Sequence, residues 1–247
     1  MGETVIETGM VLSATPVGEF DKRLVILTRE RGRIAAFARG ARRLNSPFMA
    51  GSRPFSFGSF ELYEGRNSYT VSSMSISNYF TELSDDFMGA LYGFYFLELA
   101  GYYTRENVDE SGMLKLLYQS LRALLNERIP DRLVKIIYEL KAMAINGEAP
   151  QVFSCTCCRG EERPWRFSMM RRGVLCEECA KKQGDSLFVS EAAVYTMQYI
   201  ISSTVEKLYT FHVSDTVLKE LEELMELFYR VTIDKKMKSL EILKSMY

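Results

Sequence analysis

Five cysteines carry the most legible chemistry in this chain: Cys155, Cys157, Cys158, Cys176 and Cys179. All five fall within 25 of the 247 residues. A disulfide framework spreads its cysteines around a fold, and a reducing compartment suits clustered pairs better. Cys155-x-x-Cys158 and Cys176-x-x-Cys179, with 17 residues between them, have the spacing of a metal site. Zinc takes four tetrahedral donors with Zn–S near ~2.3 Å, and two residues between paired thiolates let one turn present both sulfurs. Four thiolates also close the coordination shell, leaving no position for a substrate water. The expectation is therefore one structural zinc ion held by Cys155, Cys158, Cys176 and Cys179. Cys157 is the fifth thiol and an alternative partner for Cys155, although a one-residue spacing suits the turn less. Buried or redox-active thiols without metal are the bland reading.

Catalysis has little to build on. His212 is the only histidine and falls in a Tyr-Thr-Phe-His-Val stretch between helices. No G-x-x-x-x-G-K-[ST] phosphate loop is present, and no H-x-E precedes the cysteines as a zinc deaminase requires. Asp85-Asp86 and Asp109-Glu110 are adjacent carboxylates, but both pairs stand at helix starts, where they complement the macrodipole. The chain reads as a binding protein and not an enzyme. A zinc hydrolase would need an open metal position.

The near-neutral total charge of −1 hides an asymmetry. Residues 20–54 hold nine basic residues against Asp21 and Glu30, a net of +7, on a chain that is otherwise acidic. Lys22, Arg23, Arg33, Arg39, Arg42, Arg43 and Arg53 from this segment are the candidate phosphate contacts. With Arg29 they are expected to form one continuous cationic path. Phe37, Phe48, Phe55, Phe57 and Tyr69 are candidate stacking platforms for bases. A charged, ligand-free solvent face is the competing explanation. Arg171 and Arg172, between the cysteine pairs, are secondary candidates. Trp165 and Phe167 there are either further contacts or a small core.

These residues need elements to position them. Residues 9–15, 24–29, 33–39, 57–64 and 69–76 are short β-rich runs with turn signals at 16–18, 31–32 and 64–67. Five strands in about 75 residues suggest a five-stranded OB barrel. Residues 40–56 form a long Gly/Ser/Pro-rich cationic connection, and such loops are functional or disordered. From residue 84 the apolar period becomes helical, with helices expected over 84–104, 110–126, 130–146, 190–202, 215–229 and 236–246. The fold class is α+β multidomain: an N-terminal five-stranded OB-fold β-barrel as DNA-binding domain over 1–80, an α-helical domain over 81–152 and 188–247, and a four-cysteine, zinc-ribbon-like module inserted over 153–187. The longest apolar run, Phe87–Tyr103, is broken by Glu98 and reads as a buried helix. The N-terminus lacks the basic start and apolar run of a signal peptide. A cytoplasmic protein is expected.

The chain resembles the bacterial recombination mediator and DNA repair family RecO. Gly9-Met-Val-Leu with Val17-Gly-Glu-Phe-Asp21 is similar to that family's first hairpin. Leu24–Thr28, Arg31-Gly32-Arg33, Ala38-Arg39-Gly40-Ala41-Arg42-Arg43, Ser46, Phe48, Pro54-Phe55 and Phe60-Glu61-Leu62 continue the match. Lys236–Leu243 is similar to its closing basic-Ser helix. Cys157 is extra, and Val231-Thr-Ile-Asp234 lacks a histidine found in the family. The resemblance implies binding of single- and double-stranded DNA and annealing of complementary strands. It also implies work with RecR to load RecA onto DNA coated by single-stranded-DNA-binding protein (SSB). The acidic C-terminal tail of SSB would be received in the helical part, and the protein would associate with the nucleoid. The alternative is a helical protein-interaction scaffold whose zinc module docks a partner and whose barrel is passive.

Overall fold

The computed structural model describes residues 3–66 and 68–246; Asn67, the last residue of the expected 64–67 turn, lies outside them. Five strands, β1 (Thr4–Val17), β2 (Asp21–Thr28), β3 (Arg33–Ala38), β4 (Phe57–Glu64) and β5 (Tyr69–Asn78), close into a barrel of order β1-β2-β3-β5-β4. All pairs are antiparallel except β3 with β5. Alternation explains the walls: Leu24, Ile26, Ile34, Ala36, Ala38, Phe60, Leu62 and Val71 point into one buried core. Their outward neighbours are polar or half-buried, except Leu27, which is fully buried. Strand β1 is long enough to pair with both β2 and β4, and its register shifts between Val11 and Ser13. The barrel closes where Gly9 faces Gly58. A Cβ on Gly9 would come within 2.7 Å of the Leu27 carbonyl oxygen, and one on Gly58 would collide with that of Ser75.

The connection from β3 to β4 is ordered. Asp21 accepts from the Gly40 amide (2.7 Å), Phe20 from the Arg42 amide (2.8 Å), and the Lys22 ammonium donates to the Ser52 hydroxyl (2.9 Å). Gly40 takes φ 68°, a left-handed conformation that glycine adopts without steric cost. Gly51, Ser52, Phe55 and Ser56 are buried.

Helices follow: α1 (Phe87–Tyr103), α2 (Ser111–Leu124) and α3 (Asp131–Ile145). Asp109 accepts from the Ser111 amide (2.9 Å) just ahead of α2, but neither Glu110 at α2 nor Asp86 at α1 makes a side-chain cap. Gly147 ends the α3 segment at φ 73°. The cysteine segment contains β6 (Trp165–Ser168), β7 (Gly173–Cys176), the short α4 (Glu177–Lys181) and β8 (Ser186–Phe188), in a sheet of order β7-β6-β8. Then come α5 (Glu191–Ser202), capped by Ser190, α6 (Asp215–Thr232), capped by Ser214, and α7 (Lys238–Lys244).

Contacts divide the chain into two compact units, Met1–Leu125 with Met237–Tyr247, and Asn126–Lys236. This division does not follow the sequence boundaries at 80, 152 and 187. Helices α1 and α2 pack with the barrel strands, and α7 packs on α1. One carboxylate fixes that return: Glu98 on α1 accepts from the Lys238 amide (3.2 Å), the Ser239 amide (2.9 Å) and the Ser239 hydroxyl (2.5 Å). The charge that interrupts the longest apolar run is the N-terminal cap of the last helix.

Candidate nucleic-acid interface and metal centre

Strand pairing decides which of the predicted cations meet. The β1–β2 turn, the end of β3 and the ordered connection lie at one end of the barrel, because Lys22 pairs with Ala38 and Val17 with Asp21. Lys22, Arg23, Arg39, Arg42, Arg43 and Arg53 gather there. Burial lowers the Lys22 pKa, and the positive charges of Arg53 and Arg42 lower it further. Arg43 lies over the Phe20 ring (5.0 Å), and Arg42 reaches the Gly18 carbonyl at 3.3 Å. Arg23, Arg39 and Arg53 are exposed and form no ion pair among the described residues.

Arg33 and Arg29 do not join this cluster. They stand at the β2–β3 hairpin, about 20 Å along the strands at ~3.3 Å per residue. The Arg33 guanidinium donates to the Gly101 carbonyl (2.5 Å). Arg31, from the same segment, pairs with Glu7 (3.2 Å) and Glu64 (3.0 Å). The expected continuous path is thus two separate ends, because strand length intervenes. The expected platforms also change. Phe55 and Tyr69 are buried, Phe48 packs against the barrel core, and Phe57 packs on Tyr118 with ring centroids 4.6 Å apart. Only Phe37 of the five stays on the outer barrel wall, half-buried. Phe20 and Tyr63, which the sequence did not single out, are the exposed rings on the barrel.

The four expected thiols converge. Sulfurs of Cys155, Cys158, Cys176 and Cys179 all lie within 4.8 Å of one another. Two local structures deliver them. Around the first pair the Cys155 amide donates to Gly160 (2.8 Å) and the Arg159 amide back to Cys155 (2.9 Å), with Arg159 left-handed at φ 62°. In the second, Cys176 ends β7 and opens α4, which carries Cys179. The pairs are joined because Gln151 runs beside β7: the Gln151 amide donates to Arg172 (2.9 Å) and the Val174 amide to Gln151 (2.8 Å). A side chain on Gly173 would collide with the Gln151 carbonyl, so that approach requires glycine.

The donor set fits a tetrahedral metal ion. A Zn–S length near ~2.3 Å implies sulfurs about 3.8 Å apart, and Cys158 and Cys176 are 3.8 Å apart. Burial opposes ionisation of Cys155, but the amides of Cys158, Cys176 and Cys157 and the Cys158 thiol outweigh it and lower the pKa to about 6. Cys179 is pushed up, first by its hydrogen bond to Cys176 and then by burial. One thiol of the set thus ionises readily while a neighbour retains its proton, and a metal ion would take the place of those protons. Cys157 is exposed and outside the cluster.

Several of the module's other residues are committed. Trp165 and Phe167 are buried, Phe167 edge-on to Phe228 (5.9 Å), so both are core. Arg163 pairs with Glu191 (3.1 Å). The Arg172 guanidinium lies over Phe228 (5.2 Å) and donates to Thr232 (3.2 Å), Val231 (3.4 Å) and Glu148 (3.5 Å). Arg171 is exposed in the β6–β7 turn. His212 is exposed in a loop.

Comparison with known proteins fits this arrangement. Residues 1–80 match the family model "Recombination protein O N terminal", and residues 84–241 match "Recombination protein O C terminal". The chain belongs to the Recombination protein O (RecO) family. It is 31% identical over 240 residues to a DNA repair protein RecO of Alkaliphilus metalliredigens, covering 96% of this chain and 98% of that protein. It is 29% identical over 241 residues to one from Acetivibrio thermocellus, covering 97% and 96%. Family membership supports a role in DNA repair and recombination. Among the described residues no helix is long and apolar enough to cross a membrane.

Proposed function

We propose that this chain binds single- and double-stranded DNA through the cationic end of its barrel and anneals complementary strands without ATP. With RecR it helps load RecA onto DNA coated by SSB. The observation that carries the proposal is the gathering of Lys22, Arg23, Arg39, Arg42, Arg43 and Arg53 at one end of the barrel, set by the pairing of β1 with β2 and of β2 with β3. Such a surface neutralises phosphates and releases counterions whatever the sequence. Holding two strands at one polycation lowers their mutual repulsion, so pairing needs positioning and no chemical step. No catalytic residue is required, and the relatives are named as DNA repair proteins.

The barrel is best read as an OB barrel, supported by its five strands, their order and its closure on β1 and β4. The functional division is a DNA-binding domain over 1–80, a helical domain over 81–152 and 188–247, and a zinc module over 153–187. The ion proposed for Cys155, Cys158, Cys176 and Cys179 is one structural zinc, supported by four thiolate donors at tetrahedral spacing. When bound it would brace the turn that carries Arg171, a secondary DNA contact. Arg172 stands behind it, and Arg33 is a contact of lower rank at the far end of the barrel. The acidic SSB tail is assigned to the helical part, and the protein to the cytoplasm and nucleoid. The test is annealing of complementary oligonucleotides without ATP, with and without SSB. Annealing faster than the spontaneous rate in both conditions is expected. A spontaneous rate in both would refute the proposal and favour the scaffold with a passive barrel.

A further inference from the structure

The three-stranded sheet of the cysteine module has one covered edge and one open edge. On the β7 side, Gln151 runs beside Gly173 as a parallel bridge. The opposite edge is β8, which pairs with β6 alone among the described residues: Ser186 with Ser168, Leu187 with Phe167 and Phe188 with Arg166. In an antiparallel ladder alternate residues turn their N–H and C=O groups away from the partner strand. Those outward groups of β8 meet no other hydrogen-bonding group among the described residues. The edge is also apolar, with Phe188 67% exposed and Leu187 40% exposed. Folded proteins cover or charge such an edge, because it is a template for another strand.

A hollow opens on each face beside β8. Leu187 shares a side with its partner Phe167, which packs on Phe228 of α6. The hollow beside α6, about 290 Å³, is lined by Leu187, Phe188, Val189, Leu224, Leu227 and Glu223. Glu223 is exposed and forms no ion pair among the described residues. The hollow beside α4, about 420 Å³, is lined by Phe188, Arg166, Pro164, Ala180 and Lys181. Lys181 meets Glu177 (3.5 Å), whereas half-buried Arg166 forms no ion pair among the described residues. Both hollows are at the small end for ligand pockets, so each suits a side chain or two and not a cofactor. We propose that β8 is the docking edge for an extended segment of a partner protein, which adds to the module as a fourth strand. Successive residues of a strand point to opposite faces, so the segment's side chains enter the two hollows in turn. Those directed to α6 are aliphatic and basic, matching the leucines and Glu223; those directed to α4 include a carboxylate, matching Arg166. Main-chain hydrogen bonds to β8 supply affinity, and the two hollows select the sequence. A uniformly acidic chain or a nucleic acid is repelled at Glu223. A second copy of β8, which is Ser-Leu-Phe, brings no charge to either hollow.

The experiment titrates the full chain against three fluorescein-labelled peptides, read by anisotropy. The first, Thr-Val-Glu-Lys-Thr-Val-Thr, sets valine and lysine on one face of an extended strand and glutamate on the other. The second exchanges its glutamate and lysine. The third repeats the first with its three central amides N-methylated, which removes the main-chain donors. The first is expected to bind at least tenfold tighter than the second or the third. Phe188→Asp should weaken it tenfold or more, and Glu223→Lys should remove the preference for the first peptide over the second. Both positions are exposed, so each variant should keep the wild-type melting temperature and bind a thymidylate oligonucleotide as wild type does. No binding of the first peptide, equal binding of the first and second, or binding that survives N-methylation overturns the proposal. Self-association of the chain that Phe188→Asp abolishes overturns it as well, because the edge would then belong to a second copy.

Discussion

At the turn end of the barrel, arginines stand in solvent beside a half-buried or exposed ring. In the cysteine module Trp165 and Phe167 are inside, and Arg163 and Arg172 are tied down. Arg23 stands opposite Phe37, and neither Arg23 nor Arg39 forms an ion pair among the described residues, whereas Arg163 meets Glu191 and Arg172 is held by Phe228, Thr232 and two carbonyls. Trp165 and Phe167 build a core. The same residue types therefore stand without an internal ion pair in one place and build the fold in the other. What separates them is the number of partners the fold already supplies. A cation without an internal partner is available to a phosphate; one with several is part of the protein.

That contrast can be broken first at the metal centre. Cys176→Ser, or removal of metal by a chelator, should cost the module ~4 kcal/mol or more, read by urea unfolding together with metal analysis. A folded module with unchanged stability and no metal would make the four thiols a simple core cluster. Next, Arg39→Glu with Arg42→Glu and Arg43→Glu should weaken oligonucleotide binding roughly 100-fold near ~100 mM salt, since three phosphate contacts become repulsions. Its melting temperature should stay near that of wild type. Arg172→Ala should do the reverse, losing ~1–2 kcal/mol of stability through its hydrogen bonds and ring contact, with a much smaller effect on DNA than the triple reversal. Arg171→Ala should keep stability within ~0.5 kcal/mol. If Arg171 and Arg172 exchange these outcomes, the distinction between committed and available cations fails. The smallest effect is expected for Cys157→Ser: unchanged metal content, because its sulfur is outside the cluster.

Local pattern made most elements legible. Alternation placed the barrel strands to within a few residues, apart from the N-terminal extension of β1. The helical period placed the helices to within a few residues. The cysteine spacing named the four sulfurs that the fold brings together. The misses are of two kinds, elements too short to show a period and arrangements set at long range. Strands β6–β8 are three or four residues each, too short for periodicity to register. Arg33 and Arg39 share a strand face by parity, yet strand length puts them at opposite ends. Phe55 and Tyr69 resemble platforms in sequence but fill the interior. Glu98 looked like a flaw in an apolar helix until the Ser239 hydroxyl and amide met it from 141 residues away.

The most direct test of the central claim is the salt dependence of single-strand binding, wild type against the Arg39/Arg42/Arg43 reversal, between about 50 and 200 mM salt. Each lost phosphate contact should flatten the slope of log affinity against log salt by ~0.7 for a single strand, so the variant should be shallower by roughly 2. A folded variant that keeps the wild-type slope would contradict the account, because the phosphates would then be held somewhere other than this end of the barrel.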